Sequence, residues 1–467
     1  MHVNPLKYMN KLLTATVALA LAAGLSGCHI YQKYETPTST PLMADYAKAL
    51  AEKPDSTAFG NLAWQDVFTD PLLVTYIESA LENNTDLRNA QLNVEAAQAQ
   101  VLGAKLAYLP SVALAPNGAG AKYGSNDFGW SYQLPAQVSW EVDIFGKLLN
   151  SKRSAQAALM QTEAYRQAVR SQIISAVATT YYTLGAVRRQ LELSRHTSEL
   201  WAETVQKMRD LKEAGRTTEV GVMQAEANYY NIMGQLTDLE ASVVKLNNTM
   251  SLLLNVMPRE WEVDAYRDLS APAFASAGIE MSMLASRPDV AAAEMTLAQA
   301  YYATNSARAA FYPGLTITAN GGFTNLLGSM IMNPGDWFVQ LAGSLVAPIF
   351  SRGRNIATLK AAKARQQSAM NSFEYTLLSA ASEVSNALTV YDKSIAKAAF
   401  LELQVKDLEL AVSMTEDLYT YSTGNIDYLQ VITAQQSLLG AQISLIDCNR
   451  ARDLAVINLY QALGGGR

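Results

Sequence analysis

The sequence repeats one order of segments about two hundred residues apart, and this duplication constrains the fold more than any other feature. An apolar, helix-like run ends at Leu109-Pro110 and is followed by an alternating stretch, and a similar run does the same at Tyr312-Pro313. A very long helical pattern then follows Gly146 in the first copy and Ser351 in the second. Solenoid repeats have periods of about 20–50 residues, so the repeated unit here is half a domain.

Residues 1–27 have the features of a lipoprotein signal peptide. Lys7 and Lys11 precede an apolar run, residues 12–25, that is too short to span a bilayer. The run ends in Leu-Ser-Gly-Cys28, which resembles the bacterial lipobox, where the cysteine is diacylated and becomes the mature N-terminus. We therefore expect Cys28 to be lipidated, since two acyl chains give a stable membrane anchor. The alternative is a secretion leader with a chance cysteine.

The clearest local pattern is the alternation of apolar and polar side chains from Trp130 to Asp143. Such a period of two predicts a β-strand, and both soluble sandwiches and membrane barrels use it. Trp130 and Trp140 lie on the apolar face, separated by roughly 33 Å along a strand, or about 24 Å of height at a tilt of 45°. This matches the apolar band of an outer-membrane barrel, about 25 Å tall with aromatic residues at both edges. Trp130, Trp140 and Trp337 are therefore predicted to lie at the membrane interface.

Two hairpins, 111–143 and 314–348, supply four predicted strands per chain, the first of them over residues 112–123. Four strands cannot close a barrel, because about eight is the smallest number that fills its own interior. An open sheet edge is not tolerated in lipid. The barrel must therefore be shared between subunits.

The helical segments are too long for a globular core. We predict long helices over 147–212 and 355–423, each roughly 95–105 Å at 1.5 Å per residue. Shorter returning helices are predicted over 217–255 and 426–463, with Gly215 and Gly424 at the turns between them. An ordinary dimeric coiled coil is the alternative. Because the long helices have hairpins at one end and glycine turns at the other, we favour a helical tube that continues the barrel.

The composition argues against two other classes of protein. A net charge of −6 gives no reason to expect nucleic acid. Of three histidines, two belong to the leader region, and no metal-ligand spacing, nucleophile motif or phosphate-binding glycine loop is present. We therefore expect no enzyme activity, no cofactor and no metal site.

Several motifs resemble those of outer-membrane factors of the TolC and OprM type, which are the exit ducts of tripartite efflux systems. The resemblance covers essentially the whole mature chain. The motifs that carry it are Ser286-Arg287-Pro288-Asp289-Val290, Ala307-Arg308-Ala309-Ala310-Phe311-Tyr312-Pro313, Ser139-Trp140-Glu141-Val142-Asp143-Ile144-Phe145-Gly146 and Tyr421-Ser422-Thr423-Gly424.

This resemblance implies an α+β membrane protein in which a homotrimer shares a twelve-stranded transmembrane β-barrel and a long periplasmic α-helical barrel. The expected parts of the chain are the signal peptide 1–27, an N-terminal strap 28–70, a first repeat 71–255, an equatorial linker 256–285 and a second repeat 286–463. The resemblance also implies a periplasmic adaptor protein and an inner-membrane pump, which we expect to be of the RND type. We expect the adaptor to dock at the two turns, which are formed by Gly215, Arg216, Thr217, Gly424, Asn425 and Ile426.

In proteins of this type, a tyrosine before the glycine turn and its charged partners hold the periplasmic end shut. Tyr421 matches the tyrosine, but Ile426 stands where an arginine is found in relatives, and Gln430 and Thr433 stand where aspartates are found. Asp427 is the acidic residue nearest the turn. A cation-selective ring at Asp427 is therefore one interpretation, and a solvated turn carboxylate is the other.

The predicted function is that of a passive outer-membrane exit duct that is opened by an adaptor and carries drugs or other small toxic compounds. A type I protein secretion duct and a metal-ion efflux duct are alternatives, because the same duct can serve several pumps. A non-conducting structural lipoprotein that spans the envelope is a more distant one. The expected location is the bacterial outer membrane, with a lipid anchor and with the helical barrel in the periplasm.

Overall fold

The computed structural model describes residues 31–51, 59–122, 124, 127–264, 269, 281–324, 337–421 and 428–466. These residues form helices and one antiparallel sheet. The helices are α1 (Pro41–Ala51), α2 (Trp64–Val67), α3 (Pro71–Asn83), α4 (Thr85–Leu106), α5 (Lys147–Glu213), α6 (Glu219–Leu253), α7 (Met281–Ala285), α8 (Pro288–Ala309), α9 (Arg354–Tyr421) and α10 (Tyr428–Ala462). The strands are β1 (Ser111–Leu114), β2 (Asn117–Ala121), β3 (Gly129–Val142), β4 (Gly314–Thr324) and β5 (Trp337–Val346).

The two longest helices follow equivalent strands in the two repeats. α5 has 67 residues and α9 has 68, and each is followed by a 35-residue helix, α6 or α10. Of the helices in the described ranges, none is both long enough and apolar enough to cross a bilayer.

The first predicted strand, 112–123, proves to be two short strands. β1 and β2 both pair with β3, and the break between them falls at Ala115-Pro116. Proline has no N–H to give to a sheet ladder, so it interrupts the pairing. The N–H of Ala115 still reaches β3, donating to the carbonyl of Pro135 at 3.0 Å.

The register of the sheet keeps the two repeats in phase. The strands are ordered β1–β3–β4–β5, with β2 also on β3. Val138 faces Ala319, which faces Leu341, so apolar residues form a row on one face. One residue earlier on β3, Gln137 faces Asn320, which faces Gln340, and these polar residues form a row on the other face. The sheet therefore has one apolar and one polar face across both repeats, as the alternation predicts.

The chain divides into two compact units, and each unit draws on both repeats. One contains residues 1–37, 93–162 and 292–373, and thus all the strands. The other contains residues 38–92, 163–291 and 374–467. The duplication is therefore a property of the sequence, while packing joins equivalent parts of the two copies.

In the second unit, equivalent side chains join the start of one helix to the end of another. Asn84 accepts from the N–H of Asp86 at 2.8 Å, as an N-cap of α4, and its amide donates to the carbonyl of Leu253, the last residue of α6, at 2.9 Å. Arg287, which precedes α8, donates to the carbonyl of Ala462, the last residue of α10, at 2.7 Å. In both repeats, a carbonyl at a helix C-terminus that would otherwise lack a partner thus accepts a hydrogen bond from the side chain that immediately precedes a 22-residue helix.

The second of these junctions is ionic. The Arg287 side chain is 6% exposed and pairs with Asp289 and with Glu383 of α9, each at 2.7 Å. Burial raises the pKa of Asp289, but the hydrogen bonds and charge of Arg287 outweigh it and hold that pKa below its ordinary value. The arginine therefore ties α8, α9 and α10 together at one point.

We expect Arg287→Met to destabilise the protein more than Asn84→Ala. The arginine substitution removes charge-assisted hydrogen bonds worth about 1.5–3 kcal/mol each, whereas loss of a neutral cap costs about 1 kcal/mol. Thermal unfolding followed by circular dichroism measures both variants beside the parent protein.

The same unfolding experiment can be repeated at acidic pH. Because the folded pKa of Asp289 is depressed, its stabilisation is present above the unfolded pKa, near 4, and is lost as pH falls through the folded pKa. The difference between parent and Arg287→Met should therefore narrow below about pH 4. A difference that stays constant down to pH 3 would contradict the ionic junction.

Candidate functional site

The apolar face of the sheet is open to the surroundings in the single chain. Trp130, Trp337 and Leu341 are each 75% exposed, and Val339 is 71% exposed. Side chains of this size do not normally stand in water as a continuous patch. The face requires lipid or protein to cover it.

The three tryptophans lie on this apolar face, and the register places Trp337 between the positions of Trp130 and Trp140 along the strands. Trp140 faces Ile317, which faces Gly343, and Trp337 lies six residues from Gly343 on β5, about 20 Å away along the strand. The indole N–H of Trp140 donates to the carbonyl of Tyr108 at 2.9 Å, close to the end of α4. Trp130 lies at the opposite end of β3 and packs edge-on against Phe128, with ring centroids 5.1 Å apart. The separation of Trp130 from Trp140 along β3 is what an aromatic girdle at each interface requires.

The opposite face carries amides and hydroxyls. Gln133, Gln137 and Ser139 of β3 alternate with Pro135, and the same face continues in Thr316, Thr318 and Asn320 of β4. Glu141 at one end of β3 is paired with Lys147 at 2.9 Å. A sheet curved with this face inward would enclose a polar, hydrated interior.

At the far end of α5, the turn of the first repeat is a Schellman motif. The N–H of Arg216 donates to Leu211 at 2.9 Å, and the N–H of Gly215 donates to Lys212 at 3.0 Å. Gly215 has φ +70°, the left-handed conformation that this motif requires and that favours glycine. Both Gly215 and Arg216 are exposed. The turn therefore presents a fixed backbone to the surroundings.

Side chains brace this turn from both helices. The hydroxyl of Thr218 caps α6, and ion pairs join Lys212 to Glu219 and Arg209 to Glu226. These pairs are exposed, so each contributes little alone. Together they hold α6 against α5 next to Thr217, which is half-buried.

A buried cluster that was not predicted from the sequence lies beneath the turn of the first repeat. Trp201, which is 1% exposed, packs with Val205 and Met208 of α5, with residues of α6, and with Val431 and Ile432 at the start of α10. The 4-and-3 spacing of Trp201, Val205 and Met208 was a usable heptad signal. This cluster fixes the first turn of α10 beside the tip of the first repeat.

The remaining predicted site residues lie at or beyond the limits of the described residues. Cys28, Gly424, Asn425, Ile426 and Asp427 lie outside the described residues. Tyr421 is the last residue of α9, and its side chain is likewise outside them. Within the described ranges, no three His, Cys, Asp or Glu side chains gather closely enough to hold a metal ion.

The model of the family "Outer membrane efflux protein" matches residues 76–256 and 281–465, one segment for each repeat. The chain belongs to this family.

Three relatives illustrate the similarity. The probable outer membrane lipoprotein SilC of Salmonella typhimurium is 28% identical over 463 residues, covering 98% of each chain. The cation efflux system protein CusC of Escherichia coli K12 is 27% identical over 98% of this chain and 99% of its own. A crystal structure of CusC superposes with a TM-score of 0.80 over 93% of this chain and 99% of that one, at 25% identity. The toluene efflux pump outer membrane protein TtgC of Pseudomonas putida is 28% identical over 98% of this chain and 96% of its own.

These similarities define the fold and the general role. The chain is a passive outer-membrane channel, the exit duct of a tripartite efflux pump, and not an enzyme. Its fold class is the predicted one, a long helical barrel reaching into the periplasm and a β-barrel shared between subunits. Channels of this family are trimers that work with an adaptor and an inner-membrane pump.

Proposed function

We propose that this chain forms a homotrimeric duct for drugs or other small toxic compounds, driven by an inner-membrane pump of the RND type. The observation that carries the proposal is the polar face of the sheet, in which amides and hydroxyls predominate and Glu141 stands at one end; such a face suits a passive hydrated path better than a binding site. The name of TtgC, a toluene efflux pump component, supports small organic cargo. The name of CusC favours cations as the second candidate, and comparing the sensitivity of a deletion strain to organic toxicants and to metal ions separates the two.

The distribution of exposed apolar residues supports assembly through the outer helices. In the second unit, the buried clusters link α5 and α6 to α10, and α10 to α9. Large exposed apolar side chains are concentrated on α6 and α9, at the two ends of this series: Val220, Met223, Tyr230, Met233, Val244, Leu252, Tyr375, Leu378, Phe400, Leu403, Leu410 and Met414. We assign α9 of one copy to pack beside α6 and the start of α4 of the next.

The strap after Cys28 supports a lipid anchor close to the barrel. Arg153 donates to the carbonyl of Tyr31 at 2.9 Å, and the hydroxyl of Tyr31 donates to the carbonyl of Ile144, two residues after β3 ends. Cys28 precedes Tyr31 by three residues, a reach of about 10 Å. The acyl chains would then enter the bilayer beside the sheet, and mass spectrometry of the N-terminal peptide is the measurement that decides their presence.

The gate is proposed at the turn of the second repeat. Tyr421 ends α9 and Asp427 precedes α10, so three copies of each would surround the axis at the tip. A ring of three carboxylates attracts cations into a narrow opening.

Asp427→Asn should reduce the single-channel preference for cations over anions, because it removes the ring charge without changing side-chain size. Reversal potentials in a salt gradient across a planar bilayer measure this preference. Unchanged selectivity would assign Asp427 to a solvated turn.

The adaptor is proposed to dock at the two turns. A photo-crosslinking residue at Arg216 should capture the adaptor in intact cells, because this exposed position stands on a fixed turn. The same residue at Asn425 tests the second turn.

Trp337 provides the control position, since it lies on the exposed apolar face of the sheet and not at a turn. Capture of the adaptor from Trp337 but not from Arg216 or Asn425 would overturn the docking assignment.

A further inference from the structure

A basic cleft lies between the start of α4 and the middle of α5. Its lining includes Arg88, Arg166 and Arg170, with Glu82 as the carboxylate among the same residues. Three guanidinium groups against one carboxylate leave the cleft with a net positive charge. The chain as a whole does not share this bias, because its net charge is −6.

The arginines of the cleft differ in how many hydrogen-bond partners their guanidinium groups find within the chain. Arg170 donates to the carbonyl of Gly466 at 2.7 Å, and Arg166 donates to the amide oxygen of Gln91 at 3.0 Å. The side chain of Arg88 is exposed and makes no hydrogen bond or ion pair with any other residue in the described ranges. A guanidinium presents five donors in a planar fork that fits a carboxylate, so Arg88 and Arg166 can still accept an anionic partner.

A single carboxylate on α9 lies at nearly the equivalent position along its helix. Arg170 is 25 residues past Phe145, and Glu374 is 24 residues past the equivalent Phe350. Residues 366–382 of α9 contain Glu374 as their one charged residue, and residues 171–187 of α5 contain none. Glu374 is therefore the one charge that this stretch of α9 can offer to the basic cleft of a second copy.

Glu374 also lies beside the apolar edge that a second copy would cover. It is half-buried, and its neighbours Tyr375 and Leu378 are 72% and 52% exposed. Like that of Arg88, its side chain makes no ion pair or hydrogen bond within the described part of the chain. Leu92 of α4, one turn beyond Arg88, is 55% exposed at the complementary edge.

We propose that Glu374 of one copy enters the basic cleft of the next copy and pairs there with Arg88 and Arg166. The pair lies within a contact that also covers Tyr375 and Leu378, so it is shielded from water and stronger than a surface ion pair. Repeated around the trimer, three such pairs fix the vertical alignment of α9 against the neighbouring α4. The proposal rests on the homotrimeric assembly described above and specifies the residues that set its alignment.

A charge exchange tests the pairing. Arg88→Glu and Glu374→Arg should each weaken the trimer, and the double variant should regain most of the loss. A close interfacial ion pair contributes about 1.5 kcal/mol or more, which corresponds to at least a tenfold change in the dissociation constant. Size-exclusion chromatography with light scattering, on purified protein diluted in detergent, measures the dissociation.

The matched control exchanges a different acid. Asp392 is exposed on α9, 18 residues beyond Glu374, or about 27 Å along the helix. Asp392→Arg should therefore give no rescue when it is combined with Arg88→Glu. Equal rescue by Asp392→Arg, or no rescue by Glu374→Arg, would overturn the proposal.

A second readout locates the partner. In a Cys448→Ser background, Arg88→Cys with Glu374→Cys and a short bismaleimide should link separate chains into dimers and trimers. Linkage confined to single chains would contradict pairing between copies. If the parent protein is itself not a trimer in this assay, then the proposed assembly fails, and the failure is distinct from failure of the ion pair.

Discussion

The structure depends on one constraint: a backbone N–H or carbonyl that faces lipid must be hydrogen-bonded within the protein. The sheet of this chain has β1 and β2 on one side and β5 on the other, and among the described residues of the single chain both sides end in unpaired strand edges. An apolar face that carries exposed tryptophans makes a membrane the natural surrounding for this sheet. Its edges can then be satisfied only by other copies. Assembly with other copies is therefore a requirement of backbone chemistry, and channels of the family assemble as trimers.

The helical part meets a different requirement, because the long helices of the two repeats must stay aligned along their length. Two junctions in the second unit serve this purpose. In one, Asn84 donates to the last residue of α6, and in the other, Arg287 donates to the last residue of α10. One junction is neutral and the other ionic, and the ionic one also reaches the neighbouring long helix, through Glu383. The repeats are thus equivalent in geometry but differ in the strength of their attachment. The same asymmetry is seen at the turns, where Tyr421 and Asp427 occur only in the second copy.

The parts of the fold that follow from local periodicity were predictable from the sequence. The absence of proline in α5 and the alternation in β3 each predict their element from local sequence alone. The division of the first strand was also visible at Pro116, but the alternation around it suggested a continuous strand. The Arg287 network and the cluster around Trp201 were not predicted, because each joins residues that are far apart in sequence. For the same reason, the basic cleft required the structure, since Arg88 and Arg166 belong to different helices.

The central claim is that the sheet separates lipid from a polar passage, and single-cysteine substitution along β5 in a Cys448→Ser background tests it most directly. Phe338, Gln340 and Ala342 belong to the polar face, and Val339, Leu341 and Gly343 to the apolar face. A charged, membrane-impermeant thiol reagent should change the channel conductance in planar bilayers when cysteine replaces residues 338, 340 or 342. It should leave the conductance unchanged at 339, 341 and 343. A reversed pattern, or equal effects at both sets, would contradict the account.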